Sequence, residues 1–159
     1  MNIFFIELDP CEIAKSQGDK HCVKMCLETA QMLSTVYQQR HPLITTDLYK
    51  PTHKNHPMTK WVGESQSNWL YTLKLLQELL LEYEYRYGKI HASGKIYTTL
   101  SFLPLVYLPK KKPTIPPLCM PDEYKVGGVI DSYRAYYRSK HKQGIVEYNK
   151  NRSEPSWLK

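Results

Sequence analysis

A chain of 159 residues with 42% apolar side chains is long enough to bury one core without disulfide staples, and it is expected to form a single domain over residues 1–159. No apolar run approaches the ~20 residues of a membrane span, and no leader pattern precedes the first elements, so the expectation is an intracellular, cytoplasmic protein with no membrane partner. Twenty-two Lys and Arg against 15 acids give a formal charge of +7, and several of the 13 tyrosines lie among the cations, a mixture that favours an anionic, base-bearing partner.

"MNIFFIELDP" is a short apolar run closed by Asp9-Pro10, either a short N-terminal strand or an arm laid over helices. "CEIAKSQ" has room for one or two helical turns before Gly18. From Asp19 the apolar positions Cys22, Cys26, Ala30, Leu33, Val36 and Tyr37 recur at threes and fours, the signature of an amphipathic helix that His41-Pro42 ends. Asp19 is its expected cap. The other side of this helix carries a polar stripe of His21, Lys24, Glu28, Gln31 and Thr35, which is either a wet face or a site. Residues 42–57 read as an irregular loop.

Between Met58 and Tyr87 there is no proline, and one long central helix is expected there, bent near Gly63 and stopped by Gly88. A shorter helix over residues 92–102 follows, then a proline-rich extended crossing around Lys110 and Lys111. A last helix starts at Asp131-Ser132. The fold class expected is therefore mainly α, one compact helical domain. The cysteines lack a secreted-scaffold spacing and are expected reduced.

Several groups could carry chemistry. His21, Lys24 and Glu28 share one helix face, and the loop "YKPTHKNHP" adds Lys50, His53, Lys54 and His56, donors suited to phosphates or base edges. Two histidines near two cysteines raise zinc, but Cys22 and Cys26 belong to the apolar face and no compact Cys-x-x-Cys pair exists, so no metal is expected. Lys20, Arg86, Arg134 and Lys140, with Lys110 and Lys111, complete a candidate backbone-gripping set. There is no phosphate-cradling glycine loop, no Gly-x-Ser-x-Gly and no His-Glu-x-x-His, and no cofactor is expected.

"DKHCVKMCLETAQ" resembles the first helical segment of the pyrimidine-dimer DNA glycosylases, the endonuclease V family, in which Asp-x-His is followed, seven residues after the His, by the catalytic Glu. The matching positions are Asp19, His21 and Glu28, and "NHPMTKWVGESQSNWLYTLKLLQELLLEYEYRYG" is similar in character to that family's central helix. The chain also resembles uncharacterised phage and virus proteins that open "MNIFF" and carry "YKPTHKNHP". The resemblance implies a helical glycosylase, with or without lyase activity, acting on damaged or modified duplex DNA. In the family the chain's own α-amine attacks the sugar while the Glu stabilises the cationic intermediate. Unlike a lysine side chain, an α-amine is partly unprotonated near neutrality. Here that amine belongs to Met1, since the bulk of Asn2 favours retention of the initiator, with Lys24 or Lys20 as substitutes. The family's arginines beside and one turn after the Glu are replaced by Leu27 and Gln31, so dimer specificity does not carry over. Two other readings stand beside this one: a non-catalytic virus-encoded nucleic-acid-binding protein, and an enzyme of small nucleotide-like phosphorylated substrates.

Overall fold

The computed structural model describes residues 1–42, 47–105 and 107–159. Six α-helices follow in chain order: α1 (Pro10–Ser16), α2 (Asp19–Arg40), α3 (Pro57–Val62), α4 (Gln66–Tyr87), α5 (Gly94–Phe102) and α6 (Val129–Lys142). Single 3-10 turns cover Asp122–Tyr124 and Ser156–Leu158. The fold is mainly α, and among the described residues the expected N-terminal strand is absent. Residues 1–9 form no helix or strand; they are an apolar arm whose Ile3, Phe4, Phe5 and Ile6 enter the core. No described helix is long and apolar enough to cross a membrane.

The long helix expected from Met58 to Tyr87 is two helices. Gly63 caps α3, with its N–H on the Lys60 carbonyl, and the Ser65 hydroxyl accepts from the Asn68 N–H to start α4. A Ser three residues before an Asn at a helix start is a local capping choice that outcompetes continuation through Gly63. At the other end Gly88 takes φ +63, a left-handed stop that a Cβ would strain, as the sequence predicts. The last helix begins two residues before the expected Asp131.

Arg86, late in α4, reaches Asp19 at the start of α2, while Arg40 at the end of α2 donates to the Gly63 carbonyl before α4. The two long helices therefore run antiparallel. α1 runs parallel to α4, because the Tyr71 hydroxyl donates to Leu8 O and the Arg86 guanidinium to Lys15 O. The proline-rich crossing is extended as expected, apart from Val106, which lies outside the described residues. It is pinned by Asn68, whose amide donates to Thr114 Oγ1 and accepts from Thr114 N–H, and by the Trp61 indole on Thr114 O. Of the loop predicted over 42–57, residues 43–46 lie outside the described residues, and its end belongs to α3.

All four cysteines are free, and Cys22 and Cys26 are buried, as read from the spacing. Burial pushes the Cys22 thiol up to about 12, which leaves it an inert core residue.

Candidate active site

The polar stripe of α2 is not a wet face. His21, Glu28 and Thr35 are buried, and only Lys24 of the stripe is fully exposed. The N-terminal arm lies over His21 and Glu28, Tyr137 of α6 reaches His21, and the Thr52 backbone holds Thr35, so the buried polar groups of the stripe find partners inside the fold.

Asn2 fixes the arm. Its side-chain amide donates to Cys119 O at 3.0 Å, and its Oδ1 accepts from Ile3 N–H at 2.9 Å and from the Tyr133 hydroxyl at 3.1 Å. With the side chain held on three sides, the Asn2 backbone N–H points at Glu28 Oε2, 2.9 Å away. The Met1 ammonium lies 3.5 Å from the same oxygen, and Lys24 Nζ 3.3 Å from Oε1. One buried carboxylate thus gathers an amide hydrogen and two amines, one from the chain terminus and one from the preceding turn of its own helix.

These groups line a pocket of about 200 Å³ with His21, Cys119 and Lys140 in its wall. His21 stacks on Phe4, with ring centroids 4.9 Å apart, and its Nδ1 lies 2.9 Å from the Tyr137 hydroxyl. That hydroxyl already accepts from the Gly18 N–H at 2.8 Å. The pair closes with either group as donor; where the hydroxyl donates to Nδ1, the imidazole carries its N–H at Nε2. Burial first, then the neighbouring charges of Lys140 and Lys24, hold the imidazole down at about 4, so it is neutral at pH 7. Three cations (the α-ammonium, Lys24 and Lys140) face one carboxylate, a balance that suits an anionic ligand.

Gly18 has a positional reason. A Cβ there would sit 2.7 Å from Val146 Cγ1 and 3.1 Å from the Glu147 carbonyl oxygen, so any larger residue pushes the C-terminal segment off the start of α2. Gly18, not Asp19, is the N-cap of α2, and it supplies no side-chain bond. The Asp19 carboxylate points instead to Arg86 (3.0 Å) and to the Asn149 N–H (2.6 Å).

Arg86, expected on a nucleic-acid surface, is a correction. Its side chain is wholly enclosed, bonded to Glu82, Asp19 and the Lys15 carbonyl, and Arg152 completes the cluster on Glu82. An unpaired guanidinium could not be buried there, and a paired one is closed to phosphate. Arg134 is also engaged, donating to Ile6 O and Glu7 and lying over the Trp157 ring, so it clamps the arm. Lys20 pairs with Glu147 at 3.5 Å. Lys50, His53, Lys54, Lys110 and Lys111 are exposed, and Lys140 lies 4.5 Å over the Tyr136 ring at the pocket wall. His56 caps α3 through Nδ1; burial lowers its titration first, the Met1 ammonium and His53 lower it further and Glu28 opposes them, which places it within electrostatic reach of the pocket. Among the described residues only Asp9, Cys11 and Glu12 bring metal-ligating atoms together, at the α1 cap and away from the histidine loop.

Asn2, Phe4, Tyr133 and Tyr137 escape sequence reasoning. Asn2 has no periodicity to read, and the alternation of Tyr and cations in "SYRAYYRSKHK" suggests a backbone-gripping surface, whereas Tyr133 and Tyr137 are buried and bond to the arm, to His21 and to Gly18. No protein-family model, curated protein or solved structure matches the chain, so the reading of this pocket rests on its own geometry.

Proposed function

We propose that the chain is a DNA glycosylase with abasic-site lyase activity, using a terminal amine as nucleophile and Glu28 as its proton acceptor and electrostatic partner. One observation carries this reading: the α-amine and a buried carboxylate meet at 3.5 Å in a cationic pocket. Removal of Met1 would not dismantle the pair, because the Asn2 nitrogen, which would then be the amine, already lies 2.9 Å from the same oxygen.

The steps follow from these groups. Glu28 takes a proton from the ammonium, and the freed nitrogen attacks C1′ of the target nucleotide. The N–C1′ bond forms as the bond from C1′ to the base breaks, its electron pair leaving with the base, which is then protonated. The nitrogen then loses a proton and its lone pair opens the sugar ring: the C1′–O4′ bond breaks, its electron pair stays on O4′, which takes up a proton, and the C1′–N iminium so formed makes the C2′ hydrogen acidic; loss of that hydrogen expels the 3′ phosphate, and water releases the sugar from the amine. Glu28, anionic again after giving up its proton, stabilises the iminium. The neutral His21 ring in the wall suits a hydrogen bond with a sugar oxygen. Lys24 and Lys140 suit the flanking phosphates.

The test is borohydride reduction of the protein on duplexes with an abasic site or a modified base. A covalent adduct that maps by mass spectrometry to the N-terminal residue, and that N-terminal acetylation abolishes, is the expected result. An adduct on Lys24 would transfer the nucleophile to that side chain. No adduct on any substrate, with steeply salt-dependent binding retained, would overturn the enzyme reading in favour of a binding module.

A further inference from the structure

A second polar cleft adjoins the Met1–Glu28 pocket. Thr59 is in its wall and donates through Oγ1 to the Met1 sulfur at 3.6 Å, so the two concavities share a partition one side chain thick. The cleft measures about 260 Å³ and is bordered by Gln39, Arg40, Lys54, Asn55, Lys60 and Glu64. Its charge is lopsided, with three cations to one carboxylate, and Glu64 Oε2 is engaged by the Thr114 hydroxyl at 2.7 Å. Lys15, Lys20, Lys74 and Lys125 each hold an acid within 4.0 Å, but among the described residues Arg40, Lys54 and Lys60 hold none. Three exposed cations without counter-ions, converging on one concavity, raise its positive potential.

The loop presenting Lys54 and Asn55 is also set in place. Thr35 Oγ1 accepts from the Thr52 N–H and donates to the Thr52 carbonyl, and the His56 N–H closes the turn on the His53 carbonyl. His53 is held at φ +49, a conformation a non-glycine residue adopts at some cost, and one that persists only where the surroundings impose it. The turn therefore projects Lys54 at a fixed place beside the cleft.

We propose that this cleft seats the phosphodiester backbone of the substrate strand on one side of the reacting nucleotide, with Arg40, Lys54 and Lys60 as its phosphate contacts. The inference rests on the glycosylase reading and deepens it: the site takes an oligonucleotide strand rather than a mononucleotide, and the strand passes over Thr59 and Met1 between the two cationic concavities. Arg40 and Lys60 have no periodic or motif signal that marks them, and only the packing of α2 against α3 brings them to Lys54.

The experiment compares the full chain with R40Q/K54Q/K60Q, with the charge-conserving R40K/K54R/K60R, and with K74Q as a remote control, each checked by thermal melting. Binding of an undamaged oligonucleotide is followed by anisotropy across salt, with inorganic phosphate as competitor. Borohydride trapping is run on abasic oligonucleotides extended on only one side of the lesion. The expected results are a fall of about 2 to 3 in the salt slope for the glutamine variant, at about 0.7 to 0.9 per lost contact. Retention by the conservative variant and by K74Q is expected too, along with loss of the gain that extension on one side gives the unaltered protein. An unchanged slope and unchanged length dependence in R40Q/K54Q/K60Q overturn the proposal, as does competition by phosphate at the same concentration for all variants. The two readings fail separately. No adduct from the unaltered protein with a reduced slope in the variant removes the enzyme and leaves the strand cleft. Efficient trapping of a substrate truncated on both sides removes the cleft and leaves the enzyme.

Discussion

Glu28→Gln is the perturbation that separates chemistry from architecture. Glutamine matches the volume of glutamate and still offers an oxygen to the Asn2 N–H, now 2.9 Å from Oε2, so the arm stays docked. What disappears is the negative charge facing the Met1 ammonium at 3.5 Å and Lys24 at 3.3 Å. A hydrogen bond to a charged acceptor is worth about 1.5–3 kcal/mol and a neutral one about 0.5–1.5, so the stability loss should be about 1 kcal/mol. The Lys24 contribution adds little, because that side chain is 64% exposed and screened by solvent. Catalysis should suffer far more. Loss of a positioned proton acceptor typically removes about 10² to 10⁴ in rate, or about 2.7 to 5.4 kcal/mol of barrier. Single-turnover borohydride trapping on abasic duplex DNA gives the rate, and urea denaturation gives the stability. Trapping at the unaltered rate, with a destabilisation near 1 kcal/mol, would refute the assignment and leave Glu28 as a clamp for the N-terminal arm.

Arg86→Met should cost about 3–5 kcal/mol in urea denaturation, because it removes the buried cation between Asp19 and Glu82 and leaves them only the Asn149 N–H and Arg152; a folded variant of normal stability that has lost DNA affinity would refute the interior role. The native His21 takes up its proton only near pH 4, whereas an unfolded one does so near 6.5. Its neutral, packed form therefore contributes stability that is complete above about pH 6.5 and is lost as pH falls towards 4, about 3 kcal/mol at about 1.4 kcal/mol per pH unit. His21→Gln should flatten that part of the stability–pH curve, and an unaltered slope would refute the assignment. Gly18→Ala should destabilise by about 1–3 kcal/mol by pushing Val146 and the Glu147 carbonyl off the start of α2, read as a lower denaturant midpoint; a neutral effect would show that the closure yields freely.

The helical class, the extent of α2 and the Gly88 stop were legible because each depends on neighbours in the chain: apolar spacing, a proline, a residue without a Cβ. The break at Gly63–Ser65 was less so, since a glycine bends or ends a helix according to whether the next residues cap, and the Ser65–Asn68 bond decides it. His21, Lys24 and Glu28 could be placed on one face from the sequence, but whether that face was wet could not. Arg86 shows the same limit from the other side, an exposed-looking cation at a helix end that sits in the interior.

The amino-acid sequence by itself determined the helical class, which stripe of α2 is polar, and that the whole carries excess positive charge, because periodicity and charge are properties of local chain and composition. Only the tertiary structure decided that the first residue lies over Glu28, that the Tyr137 hydroxyl meets His21, and that Arg40, Lys54 and Lys60 share a cleft. Those pairings span 27 and 116 residues in the first two cases, and no local rule reaches across such separations. They follow from burial, which forces an apolar arm onto the one helix face whose polar groups can receive its backbone.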